Sequence, residues 1–306
     1  MTGPPKHRRR GPRKGAPHTA GSQSAGSQSA GRPPAGAKAP RGGPGAAETA
    51  PAPARDLTGA PIRPERGAYF LYGFHAVRAA LANEARRIGR CWATRAAAER
   101  LADALAARDV APRAADRAVL DALLGAEAVH QGAVIEVWPL DDPGLETLAA
   151  AAPGGARFLL LDQITDPHNV GAILRTAAVF GAQAVCLQAR NAPPETAVLA
   201  KSASGALDHT PLVRIGNLAR ALDLLKDAGF WVVGLDGEAE RTLADLPRAE
   251  KLAIVLGAEG EGLRRLTRER CDLLVRIPMA AGPIGSLNVS NAAAVALYAA
   301  LPDPGD

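Results

Sequence analysis

Six short apolar segments recur between residues 157 and 277, and helical segments separate most of them. These segments are 157–161, 184–187, 212–215, 230–235, 252–256 and 273–277. A strand that is apolar along its whole length is buried on both faces, and strands that alternate with helices form a parallel sheet covered on both sides. The pattern therefore predicts an α/β domain that begins near residue 156.

A smaller α/β unit is predicted upstream, at 67–140. It opens with an aromatic cluster and a helical spacing in YFLYGFHAVRAALAN, followed by strands at 88–93 and 133–138 and helices at 96–107 and 116–124. The segment 141–155, a short helix framed by Pro and Gly, is interpreted as the linker to a second domain at 156–302.

The basic charge of the chain is concentrated in residues 1–66, which are predicted to be a disordered tail. Residues 1–65 hold 11 Lys/Arg against 3 Asp/Glu, a net +8, and the rest hold 25 against 28, a net −3. Few large apolar residues occur in this tail, so it cannot form a core. Its RRR cluster at 8–10 fits a nucleic-acid tether or a solubilising extension, and the sequence leaves both open.

Cysteine usage and hydropathy indicate a cytoplasmic protein. The three cysteines are widely separated and show no C-x-x-C spacing, which fits a reducing compartment and no metal site. No run of about 18 apolar residues predicts a membrane span, and the basic N-terminus lacks the apolar stretch of a secretion signal.

Three of the predicted strands end in segments rich in glycine and polar residues. They are DQITDPHNVG after the first strand, GAEGEGL after the fifth and PMAAGPIGSLNVSN after the sixth. Ligands of open parallel sheets bind outside the carboxyl ends of strands. Neither phosphate-binding glycine motif is present, and Glu259 and Glu261 interrupt the glycines, so the pattern favours an uncharged or cationic ligand part such as an adenine, a ribose or a sulfonium.

Structural explanations compete with functional ones at several polar positions. Asn169 could be a helix N-cap, and so could Ser286 or Asn288. Glu259 and Glu261 could be favourable charges at a helix N-terminus. A turn histidine such as His168 is expected to be solvated rather than a base.

Arg175 lies in VGAILRTAAVFGA, a helix that is apolar nearly all round. The sequence therefore predicts a partly buried guanidinium, which needs acceptors or an anion. A structural salt bridge is the alternative.

Three segments together resemble the SpoU family of RNA ribose 2′-O-methyltransferases, most closely the bacterial enzymes that methylate a guanosine of 23S rRNA. They are LDQITDPHNVGAILRTAAVFGA, IVLGAEGEGLRRLTRERCDLLVRIPM and SLNVSNAAAVALY. The resemblance extends to KSASGALDHTPLVRI, YGFHAVRAAL and VHQGAV, and so covers roughly residues 68–302.

The resemblance implies an α/β sheet of the SPOUT type with a deep trefoil knot, a feature otherwise nearly absent from proteins. It also implies a homodimer whose site draws on both chains, S-adenosylmethionine as the cofactor, and 23S rRNA or its precursor as the partner. The upstream unit would be the substrate RNA-binding domain.

The family's site residues fall on matching positions of this chain. Those implied to be catalytic are Asn169, Arg175, Glu259, Ser286 and Asn288. Those implied to bind S-adenosylmethionine are Leu256, Gly257, Gly260, Ile277, Pro278, Met279, Ser286, Leu287 and Asn288. The loop AAGPIG at 280–285 departs from the family pattern, because relatives often carry a serine where Gly285 stands.

Two questions stay open at the level of sequence. We expect Arg175 to orient the ribose or neutralise its phosphate, with acceptance of the 2′-hydroxyl proton as a second possibility, because a guanidinium is a poor base. The same motifs would serve a tRNA 2′-O-methyltransferase, and a non-catalytic RNA-binding ribosome-assembly factor could keep the same fold.

Overall fold

The computed structural model describes residues 61–280 and 285–301, so residues 1–60 of the predicted tail lie outside the described part. The first described elements form a four-stranded sheet with the order β1-β4-β2-β3, in which β4 runs antiparallel to β1 and β2. Its elements are β1 Tyr69–Tyr72, α1 Phe74–Ala82, β2 Ile88–Ala93, α2 Arg95–Arg100, α3 Ala102–Ala107, β3 Arg113–Ala114, α4 Arg117–Leu124 and β4 Ala133–Val137.

A seven-stranded parallel sheet with the order β7-β6-β5-β10-β8-β11-β9 follows. Two 3-10 turns, Ala206–Asp208 and Leu243–Asp245, join its elements. The elements are α5 Leu145–Ala151, β5 Arg157–Asp162, α6 Pro167–Val179, β6 Ala184–Gln188, α7 Ala197–Ala203, β7 Leu212–Ile215, α8 Leu218–Asp227, β8 Trp231–Leu235, β9 Arg241–Thr242, β10 Leu252–Gly257, α9 Arg265–Arg270, β11 Leu273–Arg276 and α10 Val289–Ala299.

All six strands predicted from the apolar runs are confirmed, with ends that agree within one residue. The reason is visible in β5, where successive side chains enter different cores. Leu159 and Leu161 belong to the core under α6 and α10, whereas Phe158 and Leu160 belong to the core under α5 and α8. Burial on both faces removes any polar alternation from the strand, as expected for a parallel sheet.

Other elements differ from the prediction. Residues 96–107 form two helices that meet at Leu101. The strand β1 was predicted only as an aromatic cluster, because its four residues carry no clear period. The strands β3 and β9 have two residues each, which is too short for any periodic signal.

The two sheets are joined by a buried polar network around Arg86. This side chain is fully buried, forms an ion pair with Glu195, and donates from Nε to Asp208 at 2.7 Å. Tyr69 donates its hydroxyl to Glu195 at 2.8 Å, and burial followed by the Glu195 charge raises the pKa of this hydroxyl. The network therefore fixes β1 and the segment after α1 against the segments that flank α7.

Gly205 lets α1 approach this junction closely. Its φ is +97°, and a Cβ placed there would lie 2.9 Å from the Cβ of Ala79 and 3.1 Å from the carbonyl oxygen of His75. Glycine is required for both reasons, since L residues avoid this φ and the space is already filled.

We expect Gly205→Ala to destabilise the fold by about 2–4 kcal/mol, because backbone strain of about 1–3 kcal/mol adds to a steric clash. Gly229→Ala is the matched control, since Gly229 has a φ of +86° and no atom within 4 Å of the position that a Cβ would occupy. Denaturant unfolding of both variants separates strain from contact. Equal losses would contradict the close packing of α1 at Gly205.

No helix within residues 61–280 and 285–301 is long and apolar enough to cross a lipid bilayer.

Candidate active site

The loops that follow β5 and β10 meet the segment before α10 at one edge of the seven-stranded sheet. Asn169 lies in the first turn of α6, Glu259 follows β10, and Asn288 directly precedes α10. Because β5 and β10 are parallel neighbours, their carboxyl ends bring these side chains to the same edge.

Asn169, Glu259 and Asn288 form one hydrogen-bonded cluster. The Nδ2 of Asn288 donates to Glu259 Oε1 at 2.7 Å and to Asn169 Oδ1 at 3.0 Å. The Nδ2 of Asn169 donates to the same Glu259 oxygen at 3.2 Å. The carboxylate therefore fixes the orientation of two amides from segments 119 residues apart in the chain.

The structural explanations for the two asparagines have different outcomes. The N-cap of α6 is Asp166, whose side chain accepts from the backbone N–H of His168, so the cap interpretation of Asn169 is wrong. Asn288 is the N-cap of α10 and accepts from the N–H of Ser290 at 2.9 Å, so that interpretation is confirmed alongside its contacts in the cluster.

The helix-dipole explanation for the two glutamates gains no support, because α9 begins at Arg265 and its first turn contains no acidic residue. Glu259 and Glu261 instead line a cavity between the loops. Ser286 lines the same cavity and does not cap α10. His168 is exposed, and its Nδ1 lies 3.2 Å from Ser202 Oγ.

The cavity has a volume of about 320 Å³ and combines apolar walls with acidic side chains. Among the described lining residues, Asp236, Glu238, Glu259 and Glu261 contribute carboxylates, and Arg268 contributes one guanidinium. The residues expected to bind a cofactor that line it are Leu256, Gly257, Gly260, Ile277, Met279, Ser286 and Leu287, whereas Pro278 and Asn288 lie outside the lining. An apolar space with excess negative charge suits a ligand that has an apolar ring and a positive charge.

Two positions of this cavity, Gly257 and Gly260, require glycine for different physical reasons. A Cβ on Gly257 would lie 2.2 Å from the carbonyl carbon of Gly262, so the loop after β10 folds back directly on this position. Gly260 has a φ of +85° with open space around it, so only its backbone conformation requires glycine. Its open surroundings leave its backbone accessible to a ligand.

Asp162 is a supporting residue that the sequence reasoning did not single out. Its carboxylate is fully buried at the end of β5, where it accepts from Arg264 Nε and from Thr267 Oγ1, each at 2.7 Å. These bonds hold the end of the cavity loop and the start of α9 against the central strand. The available signal was a carboxylate that ends the apolar run FLLL.

Arg175 lies apart from the cluster, and the prediction that it is partly buried is wrong. Its side chain is exposed and forms no ion pair with any residue in 61–280 or 285–301. Six residues separate it from Asn169, which places it roughly 9 Å further along α6 and about 120° around the axis. It lines a second groove with His75, Arg78 and His209. Within this chain, Arg175 therefore does not reach the cavity.

Among the described residues, no group of three or more His, Cys, Asp or Glu side chains is arranged to hold a metal ion.

Family models match both parts of the chain. The model of the SpoU rRNA Methylase family matches residues 156–298, and the model for RNA 2′-O ribose methyltransferase substrate binding matches residues 70–143. The two matches coincide with the seven-stranded and four-stranded sheets.

Curated relatives include the 23S rRNA (guanosine-2′-O-)-methyltransferase RlmB of Pseudomonas putida. It is 43% identical over 238 residues, which cover 76% of this chain and 95% of that protein. The RlmB of Escherichia coli strain K12 is 40% identical over 238 residues, which cover 76% of this chain and 97% of that protein.

Solved structures share the fold. The SpoU methyltransferase AviRb from Streptomyces viridochromogenes matches with a TM-score of 0.65 at 24% identity, over 77% of this chain and 89% of that one. An rRNA methyltransferase from Sinorhizobium meliloti matches with a TM-score of 0.66 at 22% identity, over 77% and 87%. With relatives 40–43% identical over almost their whole length, this chain belongs to the SpoU rRNA methylase family.

Proposed function

We propose that this protein transfers a methyl group from S-adenosylmethionine to the ribose 2′-hydroxyl of a guanosine in 23S rRNA. The observation that carries the proposal is the Asn169, Glu259 and Asn288 cluster beside the acid-lined cavity. The activity for which relatives 40–43% identical are named supports the choice of substrate.

The cavity fits S-adenosylmethionine. Leu256, Ile277 and Leu287 offer apolar walls to an adenine, and the carboxylates favour the positive charges of the sulfonium and the amino group. The AviRb structure, a complex with the cofactor AdoMet, shares the fold. When bound, the cofactor supplies a methyl group made reactive by the positive sulfur.

The cluster residues would then position the RNA. Glu259 holds the amides of Asn169 and Asn288 in fixed directions, so little rearrangement is needed when substrate binds. Ser286 adds a hydroxyl at the cavity wall. Arg175 would hold the ribose or its phosphate. The hydroxyl loses its proton as its oxygen is methylated, and solvent water takes that proton. Acceptance by Arg175 is the second possibility, because guanidinium groups stay protonated in proteins.

The same proposal includes a homodimer. An apolar face on α6 and α10 is exposed, with Val179 at 75% and Tyr298 at 70% exposure, and Val295 and Leu301 beside them. A second copy that covered this face would remove this apolar area from water. Arg175 lies one turn before Val179 on α6, so pairing here would bring it close to the partner and account for its distance from the cavity of its own chain.

We expect Tyr298→Arg to weaken dimerisation at least ten-fold, because it places a charge in a face that must lose water. Sedimentation velocity over a concentration series measures the effect. Leu266→Arg is the control, since Leu266 is also exposed but lies on α9. If Tyr298→Arg dimerises as strongly as Leu266→Arg, the interface lies elsewhere.

The finer features of the fold are part of the proposal. A trefoil knot is supported by the return of α10, which follows β11, the neighbour of the edge strand β9, yet packs on β10 and α6. Domains at 67–140 and 156–302 agree with the two family matches, although α5, within the proposed linker 141–155, packs on α8 and β7. A cytoplasmic location follows from an rRNA substrate.

The deciding experiment maps 2′-O-methyl groups in 23S rRNA and tRNA from cells with and without this protein. Loss of one guanosine methyl group from 23S rRNA supports the proposal, and loss from tRNA alone assigns a tRNA enzyme. Unchanged methylation, together with no heat of S-adenosylmethionine binding in calorimetry, would indicate an RNA-binding assembly factor. Cells that express Asn169→Ala are the control, because this variant keeps the folded protein but removes one amide of the cluster.

A further inference from the structure

We propose that the groove between α1, α6 and the 3-10 turn Ala206–Asp208 binds a backbone phosphate of the RNA substrate. This inference rests on the proposed function, because it takes RNA as the substrate. Four cationic or titratable side chains line the groove: His75 and Arg78 from α1, Arg175 from α6, and His209 after the turn.

The groove has the size and lining expected for part of an RNA strand. Its volume is about 600 Å³, and its lining includes the small residues Ala79, Ala82, Ala178, Ala203 and Ala206, with the exposed Val179 at the boundary with the proposed dimer face. Small side chains leave room for a ribose, and the long side chains of Arg78 and Arg175 can reach a phosphate.

The charges of the groove are uncompensated. None of the described residues that line it is Asp or Glu. Arg78 and Arg175 form no ion pair within 61–280 and 285–301, whereas Arg86, Arg90 and Arg264 are all paired with carboxylates. No carboxylate among these lining residues offsets the two guanidinium groups, and a phosphate would do so through charge-assisted hydrogen bonds.

The nearest acidic residue in sequence does not neutralise the groove. Asp208 precedes His209, but its carboxylate accepts from Arg86 Nε at 2.7 Å and from Asn83 Nδ2 at 3.2 Å. Its side chain is 3% exposed. The charge of Asp208 is therefore satisfied on the buried side of the turn.

The walls of the groove are held rigidly. Gly205 fits against Ala79 with no space for a Cβ, so the α1 wall and the His209 wall keep a fixed separation. Arg78 belongs to the four-stranded part of the chain and Arg175 to the seven-stranded part. A phosphate held by both would set the position of the RNA strand relative to both parts of the chain.

The test compares Arg78→Ala with Arg95→Ala. Both remove one exposed arginine from the same part of the chain, but Arg95 is 93% exposed, pairs with Glu99 and lies outside the groove. We expect Arg78→Ala to raise KM for an RNA fragment about ten-fold, with kcat and the Kd of S-adenosylmethionine within about two-fold. The slope of log affinity for single-stranded RNA against log salt should fall by about 0.7.

Ala82→Lys provides the opposite change. It adds a cation to the groove at the end of α1, where a positive charge also suits the helix, and should tighten RNA binding several-fold. A purely structural role of α1 would not produce this gain. Both variants are compared with the unmodified protein in filter binding and in methyl transfer.

The outcomes separate this inference from the proposed function. If the unmodified protein methylates RNA but Arg78→Ala and Ala82→Lys both bind RNA as the Arg95→Ala control does, the groove assignment is overturned and the function stands. If no RNA is methylated but the two variants still shift RNA affinity in opposite directions, the groove stands and the function fails.

Discussion

Arg175→Ala should reduce methyl transfer at least on the order of a hundred-fold, while the Kd of S-adenosylmethionine changes by no more than a few-fold. Arg175 lies outside the cofactor cavity of its own chain and has no carboxylate partner among the described residues. Under the proposed function its guanidinium contacts RNA, so we expect its removal to lose orientation of the ribose rather than cofactor contacts. Single-turnover transfer and calorimetric titration measure the two quantities.

Arg175→Lys distinguishes the two roles proposed for this residue. Lysine keeps one positive charge but loses the planar, two-pronged geometry of the guanidinium. If neutralisation of a phosphate dominates, Arg175→Lys should recover part of the rate lost in Arg175→Ala. Normal turnover of Arg175→Ala would remove this residue from the reaction altogether.

Asn288→Asp should impair both cofactor binding and methyl transfer, each on the order of ten-fold or more. Aspartate keeps the oxygen that caps α10, so the helix start is preserved. It replaces the amide that donates to Glu259 at 2.7 Å with a second carboxylate, and the two like charges push the cluster apart. Glu259 then moves relative to the cavity it lines, and Asn169 loses its partner.

Asn217→Asp is the matched control for this variant. Asn217 caps α8 by accepting from the N–H of Arg220 at 3.1 Å, far from the cavity in the sheet order. Both variants should unfold at nearly the same denaturant concentration as the unmodified protein. If Asn288→Asp keeps the affinity and rate of the control, the three-residue cluster has no part in the reaction.

The strands of the large sheet could be predicted because burial on both faces leaves a continuous apolar run, as in FLLL at 158–161. The order of these strands in the sheet could not be predicted. The strand β10 pairs with β5 and β8, and no pattern within a strand specifies its neighbours. Short elements such as β9 depend on tertiary contacts alone.

The site was predictable in part for a similar reason. Polar residues after parallel strands meet at one edge, which brings Asn169 and Glu259 together. Arg175 was placed wrongly because an apolar helix suggests burial all round, whereas α6 leaves Arg175 and Val179 uncovered within one chain. The role of Asp162 could not be predicted, because a carboxylate at a strand end is typical of an ordinary turn and its partners are far away in the sequence.

The position of β10 has a consequence for how the protein is made. Among the described strands, β8 pairs only with β10 and β11, both of which follow it in the chain. During synthesis, β5, β6 and β7 can assemble in order, but β8 has no partner until residues 252–257 have left the ribosome. The central pairing of β5 with β10 joins segments about 95 residues apart, which slows folding. The cavity is thus completed only after residues up to 292 have been made, and nascent chains that stop before residue 252 should expose β8 to chaperones and proteases.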